Sequence, residues 1–253
     1  MEAYGPATYG DYIADSYDRW PGVAGLGDAS RREVPLLSKL AATGPVLELG
    51  IGTGRVALPL RATGVEVHGI DASDAMLEQL RAKPGGQDVP ITVGNFSEVA
   101  APGGPYTLAF VVFNTFFGLV TQHDQVRCFG NVARVLAPGG RFLTETFLPD
   151  VARFDRGQRT STVNVSLDEV HLDTNMHDPV AQTVSGQHVV LRSGEPVQMF
   201  PLHLRYAYPS ELDLMAQLAG LELEARYDGW NHEPLAGPSP SVVSVWRAPT
   251  RNA

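Results

Sequence analysis

The alternation of strand-like and helix-like segments between residues 45 and 147 is the feature that most restricts the fold of this chain. Five short apolar runs, the first at residues 46–49 and the last at residues 141–146, are separated by segments with helical spacing of apolar residues. The fourth run, residues 108–113, is continuously apolar, which is typical of a parallel strand buried on both faces. Strands separated by helices need crossover connections, which are right-handed in nearly all sheets. The pattern therefore predicts an α/β fold with a mainly parallel sheet.

The pattern changes after residue 149, and a second kind of sheet is expected there. Residues 160–208 are rich in Val, Thr and His and alternate with a period of two, with Gly186 and the pair Ser193–Gly194 as predicted turns. This rhythm predicts an antiparallel insertion of about four strands. A helix that begins at Pro209 and two closing strands follow. Because no linker separates these segments, we expect one domain, divided into a helical cap (1–44), a core (45–147), the insertion (158–208), and a closing helix and strands (209–253).

Charge and cysteine content exclude several classes of protein. Lys and Arg total 19 against 28 for Asp and Glu, and a surface with the resulting net charge of -9 repels the phosphates of nucleic acids. Cys128 is the single cysteine, which rules out an internal disulfide or a thiolate zinc site, and no other metal-ligating pattern stands out. The sequence lacks a signal-peptide pattern, and its most apolar stretch, residues 106–120, is shorter than a membrane helix. We therefore expect a cytoplasmic protein without a nucleic-acid or membrane partner.

A glycine-rich turn directly after the first strand is the most informative motif. The third glycine, Gly54, follows Gly52 by two residues rather than three, so the motif differs from the dinucleotide fingerprint, and it lacks the Lys of a phosphate loop. Glu48, two residues before Gly50, would repel a pyrophosphate but attract an ammonium or sulfonium group. Asp71 ends the second strand, where a carboxylate can accept hydrogen bonds from both ribose hydroxyls. These features predict a cationic adenosine ligand without phosphates, and S-adenosylmethionine (SAM) is such a ligand.

In these segments the chain resembles the class I SAM-dependent methyltransferases. Residues 46–55 resemble the family's first motif, residues 69–77 its second motif, and residues 136–140 the turn before its fifth strand. Asn95 stands where the family usually has an Asp that faces the adenine amine, and an amide oxygen can accept the same hydrogen bond. The resemblance implies a Rossmann-like, doubly wound sheet of seven mainly parallel strands, with the antiparallel insertion after strand five.

The resemblance also implies which residues hold SAM. Arg55, directly after the third glycine, has a simpler interpretation as a solvated helix residue. The expected cofactor-binding residues are Tyr17, Glu48, Gly50, Gly52, Thr53, Gly54, Asp71, Ala72, Met76, Gly94, Asn95, Phe96 and Phe113.

Fewer sequence motifs indicate which residues form the acceptor side of the predicted site. The segment 9–20 resembles the leading helix of small-molecule methyltransferases, in which a Tyr-Asp pair closes the active site. Within the family the chain is most similar to natural-product tailoring enzymes, including amino-sugar N,N-dimethyltransferases, but His123 lies further along than the His that those sugar enzymes carry after strand four. Other candidate bases and binding groups are His188, His203, Glu145, Arg205 and Tyr206. The residues favoured for a catalytic role are His232, in the loop before the last strand, then His177, Asn114 and Tyr17.

The leading functional hypothesis is transfer of a methyl group from SAM to N or O of a small acceptor in natural-product biosynthesis, with S-adenosylhomocysteine (SAH) as product. A non-catalytic SAM-binding protein and a methyltransferase acting on a peptide or protein are the alternatives. A nicotinamide oxidoreductase is disfavoured by the glycine spacing. The insertion is compatible with a lid or with a homodimer interface.

Overall fold

The computed structural model describes residues 4–20, 32–98, 101 and 103–250, so residues 1–3 and 21–31 of the predicted cap and residues 251–253 of the closing segment lie outside the described residues. The helices are α1 Thr8–Tyr17, α2 Val34–Ala41, α3 Ala57–Ala62, α4 Asp74–Arg81, α5 Gln122–Val135 and α6 Pro209–Leu218. Short 3-10 turns lie at Gly86–Asp88, Thr115–Gly118, Val151–Arg153 and Gly229–Asn231. The strands are β1 Val46–Leu49, β2 Val67–Asp71, β3 Ile91–Val93, β4 Tyr106–Val111, β5 Leu136–Thr146, β6 Gln158–Val165, β7 Glu169–Asp178, β8 Thr183–Arg192, β9 Gln198–Arg205, β10 Glu222–Asp228 and β11 Val242–Arg247.

The predicted doubly wound sheet is confirmed. Seven strands lie in the order β10-β11-β5-β4-β1-β2-β3, and the five strands β1 to β5 pair in parallel. β11 is antiparallel to β5, and β10 is antiparallel to β11. β1 pairs with β2 on one side and with β4 on the other. The strand order therefore reverses at β1: β2 and β3 extend the sheet on one side, and β4 and β5 extend it on the other. Open α/β sheets bind ligands at the carboxyl ends of the strands beside such a reversal.

The helices that flank this point begin where capping residues place them. The hydroxyl of Ser73 accepts the backbone N–H of Met76 and starts α4, as the sequence predicts. Thr121 caps α5 in the same way through Asp124, and Pro209 occupies the first turn of α6, where its missing N–H costs nothing. Each helix therefore begins at a fixed residue relative to the strand before it.

Both faces of the sheet are covered by apolar side chains. On the α5 and α6 face, Phe129 is fully buried and makes edge-to-face contacts with Phe142 and Trp246, at ring-centroid distances of 5.0 and 5.2 Å. On the opposite face, α2, α3 and α4 bury Leu37, Leu60 and other aliphatic side chains. This two-sided burial explains why the central strands are continuously apolar in the sequence.

The insertion forms the second, four-stranded antiparallel sheet, in the order β6-β7-β8-β9. The prediction of a turn at Gly186 is wrong, because Gly186 lies inside β8 opposite Asn175, and the chain reverses at residues 179–182 instead. A Cβ atom at Gly186 would lie 2.1 Å from the carbonyl oxygen of Thr174 and 2.3 Å from Asn175 Oδ1, so the glycine is needed for a close backbone approach. The interpretations of the insertion as a lid and as a homodimer interface stay predictions.

Among the described residues, no helix combines the length and the apolar character that a membrane span requires. Within the same ranges, no group of three or more His, Cys, Asp or Glu side chains is arranged to hold a metal ion.

The aromatic cluster leads to a prediction about stability. Phe129→Ala is expected to lower the free energy of unfolding by about 3–5 kcal/mol, because the deletion leaves a cavity between two packed rings. Urea denaturation followed by circular dichroism measures the change. Leu218→Ala, at a side chain that is 76% exposed, is the matched control and should change the free energy by less than about 0.5 kcal/mol. Equal losses in the two variants would contradict the packing argument.

Candidate active site

The glycine turn after β1 lies where the sheet reverses. Gly50, Gly52 and Gly54 have φ values of 70°, 55° and 77°, a left-handed conformation that side-chain-bearing residues rarely adopt. At Gly50 a Cβ atom would lie 2.4 Å from Thr115 Cγ2, and at Gly54 it would lie 2.3 Å from Leu80 Cδ1. At Gly52 the nearest atom would be 4.0 Å away, so this peptide borders open space. The turn therefore presents bare backbone to a ligand at the carboxyl end of β1.

Asp71, at the end of β2, is hydrogen-bonded to this turn. Its Oδ2 accepts the N–H of Gly52 at 2.7 Å, and its Oδ1 accepts the N–H of Ser73 at 2.9 Å. Burial raises the pKa of the Asp71 carboxyl, and the hydrogen bonds from Ser73, Gly52 and Ala72 oppose that shift. Two carboxylate oxygens can accept about four hydrogen bonds, so after these three backbone donors there is capacity left for a ribose hydroxyl.

Glu48 is the most strongly perturbed acid of the site. Its side chain lies in β1 with 3% of the residue exposed, and its Oε2 has no hydrogen-bond partner among the described residues. Burial raises the pKa of this carboxyl to about 8, the Arg55 charge lowers it, and Asp71 and Glu33 raise it further. A buried, unpartnered carboxylate oxygen is costly unless a cation or donor reaches it. An ammonium group would satisfy this atom, which is the observation that makes the site fit SAM.

Arg55 lies among the side chains around Glu48 and contacts several of them, so its interpretation as a solvated residue is wrong. Its Nη1 lies 3.0 Å from Glu33 Oε1, and its guanidinium carbon lies 5.1 Å from the ring centroid of Phe113. Burial raises the pKa of the Tyr17 hydroxyl to about 12, an effect that the nearby Arg55 charge opposes. The position of Arg55 directly after Gly54 was the only sequence signal of this role, and Glu33 had none.

Helix α1 is held against the glycine turn by polar contacts. Thr53 Oγ1 donates to Asp18 Oδ1 at 2.7 Å, and Lys83 Nζ lies 2.6 Å from Asp18 Oδ2. Ser73 Oγ donates to Asp11 Oδ1 at 2.6 Å. At Gly10 a Cβ atom would lie 2.6 Å from the Cβ of Ser73, so the helix approaches α4 very closely. These contacts hold Tyr17 near Arg55 and Glu48, and its predicted role in closing the active site stays a prediction.

The loop after β3 forms the expected adenine side. Gly94 N–H donates to the carbonyl of Asp71 at 2.8 Å, which fixes the loop beside β2. Asn95 Oδ1 accepts the N–H of Ser97 at 3.0 Å, so one acceptor position of the amide oxygen is used inside the loop. Phe96 is half-buried beside Gly50, and Met76 is buried below α1. The oxygen of Asn95 keeps a second lone pair for an adenine amine.

The chain after β4 has an unusual backbone. Phe113 and Asn114 have φ values of 58° and 63°, two consecutive left-handed residues that are not glycine. Phe113 N–H donates to Glu145 Oε2 at 2.9 Å, and Asn114 Oδ1 accepts the N–H of Phe147 at 2.6 Å. Such conformations persist where the surroundings impose them, often at functional sites. Asn114 and Glu145 therefore have a structural role in joining the ends of β4 and β5.

The two histidines favoured for catalysis lie apart from these contacts. His232 is exposed, and its ring packs 5.7 Å from that of Tyr227 at the edge of the sheet. His177 lies in β7, where its Nε2 is 2.9 Å from the Tyr206 hydroxyl and its ring stacks on Phe154 at 4.6 Å. The described contacts of these rings do not include the glycine turn, Asp71 or Phe113. The catalytic roles assigned to both residues stay predictions.

A cavity of about 180 Å³ lies between the insertion and the chain that follows β5. It is lined by apolar side chains such as Phe147 and Leu204 and by the polar side chains of Arg159, Asp173 and Asn175. Polar groups that converge in such a cavity are typical of a small-molecule site. Tyr206, which also lines the cavity, is among the binding groups predicted from the sequence, but the sequence predicts no binding role for Arg159, Asp173 or Asn175, because a period-two pattern does not tell which face of a sheet is covered.

Comparisons with known proteins agree with this geometry. Residues 46–140 match a family model described as a methyltransferase domain. The CcbJ methyltransferase from Streptomyces caelestis has a similar structure, with a TM-score of 0.91 and 44% sequence identity over 97% of this chain and 100% of that one. The cypemycin N-terminal methyltransferase of a Streptomyces species is 28% identical over 79% of this chain and 81% of its own length.

A more distant structure has the same fold. The SAM-bound amino pentose methyltransferase from Micromonospora echinaspora superposes with a TM-score of 0.65 and 20% identity, over 93% of this chain and 95% of its own.

The geometry of the glycine turn predicts a steric effect. Gly50→Ala should abolish detectable SAH binding, because it adds a clash with Thr115 to the strain of a positive φ. Gly220→Ala, at a φ of 76° with nothing within 4 Å, isolates the strain and should cost only about 1–2 kcal/mol of stability. Isothermal titration calorimetry and urea denaturation of both variants provide the measurements. Unchanged SAH affinity in Gly50→Ala would refute the proximity of this turn to the ligand.

The raised pKa of Glu48 predicts a pH dependence. The folded pKa of about 8 exceeds the ordinary value of 4.5, so the unfolded chain binds fewer protons between these values, and ionisation of Glu48 destabilises the fold as pH rises. Relative to Glu48→Gln, the ligand-free wild type should lose stability from about pH 5 to 8, by at most about 1.4 kcal/mol per pH unit. Urea denaturation across this range measures the difference. A difference that does not vary with pH would contradict the buried environment of Glu48.

Proposed function

Because the chain belongs to the SAM-dependent methyltransferases, we propose that it transfers the methyl group of SAM to a nitrogen atom of a small molecule in natural-product biosynthesis. The observation that carries the proposal is the unpartnered Oε2 of Glu48, buried beside a bare glycine turn and Asp71. A site for a ligand without a cationic group has no need of such a buried carboxylate, whereas a site for a ligand with an amino group does.

The roles of the cofactor-binding residues follow from their chemistry. Bound SAM supplies a methyl group on a sulfonium, which an acceptor lone pair can take by in-line displacement. Glu48 binds the amino group, Asp71 accepts hydrogen bonds from the ribose, and Asn95 accepts one from the adenine amine. Gly52 leaves space for the ligand along the backbone, while Gly50 and Gly54 let the turn pack closely against Thr115 and Leu80. The remaining predicted residues border the same pocket as walls or backbone contacts: Tyr17, Thr53, Ala72, Met76, Gly94, Phe96 and Phe113.

Nitrogen is the favoured acceptor atom for three reasons. The relative that acts on cypemycin is named as an N-terminal methyltransferase, so an amine is the acceptor that its name indicates. The net charge of -9 attracts a cationic amine more strongly than a neutral phenol. An amine also needs less help from a base, because its neutral form carries a lone pair without further proton removal.

A peptide amine is the second candidate acceptor. The same cypemycin relative supports it, since its name describes modification of the N-terminus of a peptide. A cavity of about 180 Å³ at the insertion favours a compact small molecule over an extended peptide chain. We therefore place the small-molecule amine first.

Methyl-labelled SAM tests the proposal. We expect label in at least one member of a panel of small amines, and less in matched alcohols, phenols and peptides with a free N-terminus. Asp71→Asn should lower kcat/KM for SAM by about tenfold or more, because a ribose acceptor is weakened. Asp74→Asn, on an exposed residue three positions away, is the control and should leave kcat/KM unchanged.

The outcomes separate the alternatives. Label in alcohols or phenols alone would reject nitrogen as the acceptor atom. Label in peptides alone would replace the small molecule with the second candidate. Tight SAM binding with no label in any member of the panel would reject the proposal in both forms.

A further inference from the structure

The inward face of the insertion is unusually polar for a covered surface. His171, Asp173, Asn175 and His177 occupy successive inward positions of β7, where a covered sheet face normally carries apolar residues. Buried polar groups are costly unless they are partnered or bind something. The two outer residues have partners, because Nε2 of His171 contacts Glu169 and Nε2 of His177 contacts the Tyr206 hydroxyl, although Nδ1 of His171 is buried without a partner among the described residues. The two central residues, Asp173 and Asn175, line the cavity described above.

The Asp173 carboxylate is held on one side only. Its Oδ1 is hydrogen-bonded to Nδ1 of His188, which lies opposite it on β8. The ring of His188 is itself fixed, with the ring of Tyr9 at 6.2 Å and that of Trp20 at 5.2 Å. The Asp173 side chain is still 30% exposed, and it lines the cavity wall. The second carboxylate oxygen is therefore in a fixed position with capacity for a donor.

The arginine on the neighbouring strand β6 forms no ion pair with this carboxylate. Arg159 pairs in register with Asn175 and lines the same cavity, yet it forms no ion pair among the residues that the structure describes. On the β6 side, Asp173 lies opposite Ser161, a hydroxyl that also lines the cavity. A structural carboxylate would be expected to pair with a guanidinium that lines the same cavity. The carboxylate is instead left facing the cavity.

The same carboxylate is connected with the cofactor side through Tyr9. Tyr9 packs with Tyr17 and Phe113 around the cluster formed by α1, and its ring contacts His188. Burial raises the pKa of the Tyr9 hydroxyl, and the charges of Tyr17 and Asp173 act in the same direction, so both groups lie near it. A ligand at Asp173 would therefore lie close to the residues that border the predicted methyl donor.

We infer that Asp173, oriented by His188, is the acceptor-binding carboxylate and that it binds the amine of a compact hydroxylated acceptor, with Ser161 and Asn175 hydrogen-bonding to its polar groups. The inference rests on the proposed function, because it gives the acceptor its binding residues. Carboxylate hydrogen bonds to a charged donor are stronger than neutral ones, so this contact selects amines over their uncharged analogues.

Binding to the SAH-saturated protein tests the inference without methyl transfer. The probes are glucosamine and alaninamide, each compared with its uncharged N-acetyl form by titration calorimetry and protein NMR. Asp173→Asn should weaken amine binding by about tenfold or more while leaving the N-acetyl probes unchanged. The variant keeps an oxygen for His188. Glu195→Gln removes one charge from the β8–β9 turn outside the cavity and should change neither probe.

A second variant gives an effect of opposite sign. Arg159→Gln removes a positive charge from the same cavity and should tighten binding of both amines, by about two- to threefold. If Asp173→Asn loses SAH affinity or its folded spectrum, the Arg159→Gln variant becomes the test of the inference. Weaker or unchanged amine binding in Arg159→Gln would then overturn the inference. If a folded Asp173→Asn protein binds both amines as tightly as the wild type does, the inference is also overturned.

The test also separates this inference from the proposed function. Selective amine binding that depends on Asp173, without methyl transfer to any acceptor, would reject the proposed function and support the binding role. Methyl transfer to an amine that Asp173→Asn leaves unchanged in KM and kcat would support the proposed function and overturn the binding role.

Discussion

The site depends on the interaction of the Arg55 guanidinium with the acids around it. Two buried acids, Glu33 and Glu48, lie around this cation, and Asp71 adds a further negative charge nearby. Without it the like charges would repel one another in a medium of low dielectric constant. Burial is the main cause of the raised pKa of Glu48, and the negative charges of Asp71 and Glu33, which the single cation does not balance, raise it further. The unliganded site is thus prepared for a cation, at a cost in stability that binding can recover.

The second dependence is on α1, which is remote in sequence from the glycine turn. The contacts of Asp11 with Ser73 and of Asp18 with Thr53 fix this helix to the sites where α4 and the turn begin. The helix then carries Tyr17 toward Arg55 and Tyr9 toward the insertion. One short helix therefore contacts both the proposed cofactor side and the proposed acceptor side, so the relative position of the two sides depends on its packing.

The sequence predicted the central fold and the position of the glycine turn well, because both depend on local signals. Continuous apolar strands, the Ser73 cap and the spacing of Gly50 to Gly54 act within a few residues, and the structure has all three. The role of Arg55 was missed, since its partner Glu33 is 22 residues away. Gly186 was misread as a turn because the reason for the glycine is the neighbouring strand, not the local chain. The polar inward face of β7 escaped for the same reason, since alternation cannot say which face is covered.

The location of Asp173 has a consequence for the chemistry of methyl transfer. As the nitrogen lone pair forms its bond to the methyl carbon and the carbon–sulfur bond breaks, positive charge moves onto the acceptor nitrogen. A fixed carboxylate stabilises charge that develops there, and it costs no reorganisation when His188 already orients it. The same carboxylate also stabilises the ammonium form of the free acceptor, which has no lone pair. The benefit therefore exceeds the cost only where the amine has lost its proton before reaction, so in the inferred role Asp173 would favour weakly basic amines over strongly basic ones.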